Sequence, residues 1–351
     1  YNNLGNALKE QGDLKAAIGS YQQAIQIDPD FPYSYSNLAV VQLLSGNYES
    51  GWENYEWRWK VKNSKHTPHA EPKSQRITKE NLNQVNKLLV VSEQGLGDTM
   101  QYMRYIPYLN QQGIDLSFAT ELKLHSLIQA SNIHSQPLTP EQANLVSEGK
   151  WIPLLSLPKH LGINPQNVIV SEPYIRSTEK LTIKWKEILS SEKRPIIGIN
   201  WQGNPVMEKA YSYQGRSIQL ESFSTLLKHN DCSLLSLQKG YGSEQIETCS
   251  FKDQFVNSQK QIDNIWDFLE TAAIIKNCDL IITCDTSVAH LAAGMGQTTW
   301  LLLRNIPYWT WGMEGDSTFW YPSMRLFRQK ERHNWDEVMH RVSRDLQQLF
   351  N

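Results

Sequence analysis

Nothing in this sequence is long and apolar enough to cross a bilayer. A spanning helix needs about 20 consecutive apolar residues, whereas stretches such as Leu88–Val91 and Trp300–Leu303 are far shorter and read as buried strands. Cysteine is scarce. The four present, at positions 232, 249, 278 and 284, form no Cys-x-x-Cys pair, and no nearby histidine gives metal-ligand spacing. That argues against a disulfide scaffold and a zinc module, and it leaves reduced, mostly buried thiols of the kind found in cytoplasmic proteins. An excess of one charge is also lacking: 34 Lys and Arg stand against 36 Asp and Glu, for a formal net charge of −2. The basic footprint of a nucleic-acid binder is absent. No signal peptide is visible, so a cytoplasmic place is expected. The chain opens at Tyr1 inside a repeat, and further sequence upstream is expected.

What is present is a balanced globular composition, 40% hydrophobic and 20% charged over 351 residues, enough for two or three domains. An internal repeat comes first. A shift of 34 residues maps Tyr1 on Tyr35, Asn3 on Asn37, Leu4 on Leu38, Gly12 on Gly46 and Tyr21 on Tyr55. Small residues recur where helices must approach closely, with Gly5 answered by Ala39 and Ala17 by Gly51. Gly12-Asp13 and Gly46-Asn47 read as turns between helices, and Pro32 suits the first turn of the next helix. The pattern resembles the tetratricopeptide repeat. The second copy departs from it late, where Ala24 is answered by Arg58 and Pro29 by Asn63; terminal repeats are often atypical. Trp52, Trp57 and Trp59 crowd this end and are expected to pack against the next domain. Residues 63–85 are polar and contain Pro68 and Pro72; they read as a linker between the repeats, residues 1–62, and the remainder of the chain.

From Lys87 the grammar changes. A β-branched run to Val91 is followed by Glu93-Gln-Gly-Leu-Gly-Asp-Thr99 and a helical stretch through Leu109, in which Met100, Met103 and Tyr108 can face inward. Strand, glycine-rich turn and helix make the first unit of a doubly wound α/β domain, and ligands of such folds bind at the carboxyl ends of strands. By spacing alone Asp98 is more readily a helix cap than a catalytic group. Ile114–Thr120 and Trp151–Leu157 read as further strands, with Glu121–Ala130 helical. The pattern restarts at Arg194 with an apolar strand to Trp201 and the polar turn Gln202-Gly-Asn-Pro205. Leu220–Lys228 and Asp267–Asn277 read as helices. Cys232–Leu237, Asp279–Cys284 and Trp300–Leu303 read as strands of a mostly parallel sheet. Asp285-Thr286-Ser287 heads a helix whose first amides lack internal partners and whose dipole adds about half a positive charge. A diphosphate suits that end, with His290 one turn in; a plain cap with a satisfied histidine is an equal reading. The C-terminal stretch Trp335–Phe350 places Val338, Val342, Leu346 and Leu349 at helical spacing to close the domain.

Taken as an ordered set, the segments EQGLGDTMQYMRYIPYL (93–109), NWQGNP (200–205), GRSIQL (215–220), LSLQKG (235–240), CDTSVAHLAAGMG (284–296) and WYPSMRLFRQ (320–329) resemble the heptosyltransferase-like glycosyltransferases, especially a bacterial branch that carries tetratricopeptide repeats. The resemblance implies a glycosyltransferase-B architecture: helical repeats followed by two Rossmann-like α/β lobes, residues 86–192 on the acceptor side and 193–351 on the nucleotide-sugar side. It implies Asp98 as the catalytic group. It implies Asp285, Thr286, Ser287 and His290 as the donor-phosphate motif, with Ser287 where the family usually has glycine, and Arg216 and Lys239 as basic partners. Gln94, Gly95, Gly97, Gln202, Gln238, Trp309 and Trp311 are candidate contacts to sugar or base, the tryptophans being at least as readily core. The first lobe is shorter than in lipopolysaccharide heptosyltransferases, which argues against a heptose donor and a lipid acceptor.

The chemistry expected is inverting transfer from a nucleoside-diphosphate sugar, itself a substrate, with no cofactor and no metal; neither lobe carries an Asp-x-Asp pair. The repeats would offer a short groove to a protein or peptide partner. One alternative is a nucleotide-sugar-binding scaffold without turnover, to be separated by donor hydrolysis in vitro; another is a nucleotide-sugar epimerase, whose mark would be an acid/base set around the sugar rather than one base on the acceptor side.

Overall fold

The computed structural model describes residues 1–61, 67–78, 81–171, 173–209, 214–228 and 230–350, with the main chain only at Asn83. Residues 63–66 and 79–80 of the expected linker lie outside them. The chain divides into two units. The first comprises Tyr1–Leu122, Gln136–Val170 and Ile306–Glu314, the second Lys123–Ser135, Ser171–Asn305 and Gly315–Asn351.

The first unit begins with four helices, α1 (Asn2–Gln11), α2 (Leu14–Ile27), α3 (Pro32–Leu44) and α4 (Tyr48–Tyr55), each packed on the next. Gly12 closes α1 at φ 86°, a left-handed conformation that only glycine adopts cheaply, and the Asp13 carboxylate then caps α2 by accepting from the Ala16 amide. At Gly5 an added Cβ would lie 2.5 Å from the Tyr21 ring, and at Gly51 it would lie 2.7 Å from Leu43. Ala17, Tyr21, Leu38 and Val41 form the core between the helices. After Tyr55 the helix tightens to a 3-10 turn, Glu56–Lys60.

The same unit carries a parallel sheet of β1 (Gln75–Arg76), β2 (Lys87–Val91), β3 (Asp115–Ala119) and β4 (Lys150–Pro153) in the order β1-β4-β2-β3. The stretch read as linker therefore supplies an edge strand, and Ala70 and Ile77 are buried. The expected strand at Trp151–Leu157 stops at Pro153, because proline cannot continue the ladder; a 3-10 turn, Leu154–Ser156, and the helix Leu157–Leu161 come next. The helix after β2, α5 (Leu96–Tyr102), ends at Met103, and a separate helix spans Tyr105–Gln111. Met100 and Met103 are buried as expected, but Tyr108 is half-buried.

The second unit holds β5 (Ile196–Asn200), β6 (Ser233–Ser236), β7 (Leu280–Cys284), β8 (Thr299–Leu303) and β9 (Met324–Arg328), all parallel, ordered β6-β5-β7-β8-β9. Its core joins Ile197, Ile282 and Trp300 from the sheet with Val338, Val342 and Leu346 from the closing helix Trp335–Phe350. Leu349, expected on that apolar face, is 49% exposed because the helix outruns the sheet. The helix expected at Leu220–Lys228 is a 3-10 turn, Leu220–Phe223, followed by Ser224–Leu227. The cysteines form no disulfide; Cys232, Cys278 and Cys284 are buried and Cys249 is half-buried.

Candidate functional site

In each sheet the order reverses beside an inner strand. β2 lies between β3 and β4, and β5 lies between β6 and β7. Ligands of open parallel sheets bind outside the carboxyl ends of strands at such a reversal. The turns singled out in the sequence leave from those strand ends.

In the first unit the turn after β2 is built around Glu93, whose side chain is wholly buried. Its carboxylate accepts two hydrogen bonds from Arg58, at 3.1 and 2.9 Å, and one from the Leu155 amide at 3.0 Å. Arg58 also donates to Ser156 Oγ and to Glu56. Burial pushes the Glu93 carboxyl above its usual range and Arg58 opposes it. Burial works against the Arg58 charge too, but Glu93 and Glu56 hold the guanidinium firmly protonated. Gln94 follows with φ 62°, the left-handed region, and its Nε2 donates to Tyr55 Oη at 2.8 Å. His69 Nε2 lies 3.1 Å from the Gln94 carbonyl and His69 Nδ1 2.8 Å from Ser92 Oγ. A carbonyl can only accept, so Nε2 donates to it.

Beyond Gln94 the Gly95 amide donates to Asp98 Oδ2 at 3.0 Å. Asp98 thus caps α5 from its third position, and it is neither fully buried nor fully exposed. Gly97 sits in the first turn of α5. The bond from Gly95 fixes the Asp98 carboxylate at the head of α5.

Trp309 and Trp311 belong to this unit, in the 3-10 turn Trp309–Trp311, and both are buried. Trp309 meets Trp52 edge-on at 5.3 Å and Tyr55 at 5.8 Å, while Trp52 Nε1 donates to the Ile163 carbonyl at 2.7 Å. Trp57 stacks on Tyr35 at 3.8 Å, within the repeats, and Trp59 lies under the Arg58 and Arg76 guanidinium groups.

In the second unit Asn200 ends β5 and joins the turns. Its Oδ1 accepts from Thr286 Oγ1 at 2.7 Å and its Nδ2 donates to Gln238 Oε1 at 2.8 Å. Gln238 is buried; its Oε1 also accepts from the Trp201 and Gln202 amides, and its Nε2 donates to the Gln202 and Tyr241 carbonyls. Gln202 Oε1 accepts from Gln245 at 3.0 Å. These bonds lock the three strand ends together beneath the helix Ser287–Gly294.

Arg216 reaches the head of that helix. Its Nη1 donates to the Asp285 carbonyl at 3.1 Å, and Glu208 lies 3.5 Å from its Nε. Gly203 makes room for the guanidinium, since a Cβ there would collide with it. Asp285, Thr286 and Ser287 keep partial exposure. His290 is buried, with Nδ1 2.8 Å from Tyr321 Oη. Lys239 Nζ donates to the Ile262 carbonyl, and burial pulls its pKa below the usual ammonium value, with Asp263 opposing. Arg216, Asp285, Thr286 and Ser287 are thus brought together, while Lys239 turns to Ile262 and His290 to Tyr321.

Four residues had no assigned role from sequence. Tyr55, Arg58, Asn200 and Tyr321 are polar groups whose partners lie far along the chain. The departure of Arg58 from the repeat pattern, opposite Ala24, was a visible signal, and Asn200 and Tyr321 fall within the segments 200–205 and 320–329, but nothing local pointed to their partners.

The fold is tetratricopeptide helices followed by two Rossmann-like parallel sheets with helical connections. Residues 5–46 match the family model described as TPR repeat. The chain is 21% identical to Protein FlbA of Caulobacter vibrioides over 98% of its length, and it spans 66% of that protein, slightly under two thirds. It resembles the crystal structure of a glycosyl transferase family 9 protein of Veillonella parvula, at 12% identity and a TM-score of 0.47, over 71% of this chain and 87% of that one. It also resembles the ADP-heptose lps heptosyltransferase II of E. coli, at 11% identity and a TM-score of 0.47, over 75% of this chain and 98% of that one. Among the described residues no helix is long and apolar enough to cross a membrane.

Proposed function

We propose that this chain transfers a glycosyl group from a nucleoside-diphosphate sugar to an acceptor hydroxyl, by a single inverting displacement that needs no metal. The observation that carries the reading is the head of the helix Ser287–Gly294. Its first residue, Ser287, and the preceding Asp285 and Thr286 keep partial exposure at a topological reversal, and a guanidinium from Arg216 is held 3.1 Å from the Asp285 carbonyl. Helix amides and an arginine together suit a diphosphate. They also meet the charge that develops as the C1–O bond breaks and the diphosphate leaves with its electron pair.

On the other reactant, Asp98 takes the proton of the acceptor hydroxyl as that oxygen forms its bond to the anomeric carbon. Thr286 and Asn200 act by fixing the turn, and Gln238 by fixing Asn200. Lys239 and His290 have partners within the second unit and shape the donor side, Trp309 and Trp311 are core of the first unit, and Gln94, Gly95, Gly97 and Gln202 belong to the two turns. The repeats recognise a protein or peptide partner or acceptor.

The test is calorimetry of UDP, GDP and ADP and their hexose conjugates with the full chain, followed by release of free diphosphate from any conjugate bound. One nucleotide is expected to bind, its sugar conjugate to turn over, and turnover to survive a chelator. Binding without any turnover would favour the scaffold reading, and loss on chelation with rescue by magnesium or manganese would overturn the metal-free mechanism.

A further inference from the structure

We infer that the second tetratricopeptide repeat contributes positioning residues to the reaction, Tyr55 and Arg58, which act through the Glu93–Asp98 turn; this rests on the reading of Asp98 as the base. The turn is supported from its own unit by Leu155 and His69 and from the repeat by Tyr55 and Arg58. Glu93 is clamped by Nε and Nη2 of Arg58. The next residue, Gln94, holds a left-handed φ of 62°, a conformation a non-glycine residue keeps only when its surroundings impose it. Those surroundings are Tyr55 Oη on its side chain and His69 on its carbonyl. The next amide, Gly95, is the one that holds Asp98 Oδ2. A continuous path of three residues therefore runs from the repeat's last helix to the carboxylate.

The repeat side is equally fixed. Tyr55 and Arg58 are both buried, the guanidinium stacks 4.5 Å over the Tyr55 ring, and the ring packs against Trp309. Neither residue faces outward, where a partner of the repeats would be read. A detachable recognition module would end in a polar cap facing solvent. This one ends in a buried arginine at the position where the first repeat has Ala24, and in a tyrosine whose hydroxyl meets the turn.

The test is Tyr55→Phe, which deletes one hydroxyl and keeps the ring packing. It is measured in the full chain with a panel of UDP-, GDP- and ADP-linked hexoses and ADP-heptose, by diphosphate release and by amide hydrogen exchange. Misplacing a catalytic group by a fraction of an ångström lowers turnover steeply, so kcat should fall about tenfold or more while KM for the donor stays within about twofold. Exchange at residues 94–99 should quicken while that of the repeat helices stays as in wild type. In an Asp98→Asn background, Tyr55→Phe should have no further effect on kcat, because the two act as one unit. Equal losses in both backgrounds, or unchanged kcat and exchange, would overturn the inference. If Asp98→Asn alone is fully active, the base assignment fails and takes this inference with it. If Asp98→Asn is inactive and Tyr55→Phe is silent, only the inference fails. With no conjugate turned over, unchanged exchange at 94–99 refutes the path by itself.

Discussion

Arg58, in the turn that ends the second repeat, and Glu93, in the turn between β2 and α5, meet in a two-bonded ion pair at 2.9 and 3.1 Å, with both side chains removed from solvent. A pair of this kind adds little net stability compared with apolar residues of the same size, but breaking it leaves an unpaired buried charge. Arg58→Ala is therefore expected to cost about 3–5 kcal/mol, and a double replacement by leucines distinctly less. Urea denaturation of the three proteins checks this; a single variant as stable as wild type would mean that the pair is not closed in solution.

The same geometry bears on removal of the repeats. A chain starting at residue 63 lacks Arg58, Tyr55 and Trp52, and so uncovers Glu93 and the Trp309 ring. Such a truncation is expected to lose cooperative unfolding and to expose apolar surface. A sharp melting transition near that of the full chain, with no added binding of a hydrophobic dye, would contradict it.

The repeat was legible because a fixed shift reproduces both the small and the large positions, and the structure places Gly5 against Tyr21 as that pattern requires. The parallel sheets were legible because buried strands are short apolar runs ending at polar turns. The linker was not: Gln75-Arg76 is a two-residue polar edge strand, and nothing in its composition marks it. The strand-to-helix turn pointed to Asp285, and only the family resemblance pointed to Asp98 as more than a cap; neither pointed to the groups that hold them. Asn200 bonds Thr286 across 86 positions and Arg58 bonds Glu93 across 35, and no local pattern encodes such pairs. The tryptophans at 309 and 311 illustrate the reverse. An aromatic cluster in a loop reads equally as a ligand platform or as core, and burial against Trp52 makes Trp309 core here.

At the donor end, Arg216→Ala removes a charge-assisted partner of the diphosphate, and Ser287→Asp adds a like charge at the helix head. Hydrogen bonds to charged groups are worth about 1.5–3 kcal/mol, so each change should weaken nucleoside-diphosphate binding by roughly 10- to 100-fold. Thr286→Val should weaken it less, since Thr286 Oγ1 is spent on Asn200. Calorimetry reads all three; an unchanged Kd for Arg216→Ala would remove the arginine from the site.

The thiols give an independent check on the packing. Burial pushes Cys232 up to about 11 and Cys278 up to about 12, with Asp231 and Asp279 adding to it, and burial raises Cys284 as well. At pH 8 these three stay protonated and inaccessible, and the half-buried Cys249 is the one expected to react with a small disulfide reagent in the native protein. Four rapid equivalents without denaturant would contradict the described core.

The most direct measurement of the account is turnover beside donor affinity for Asp98→Asn and Asp98→Ala. Asparagine caps a helix about as well as aspartate, so the asparagine variant isolates the charge. A general base contributes about 10²–10⁴-fold; the account predicts a loss of kcat of that order in both variants, with the Kd of the nucleotide sugar nearly unchanged. Full activity in a folded Asp98→Asn protein would make Asp98 a helix cap alone and place the base elsewhere.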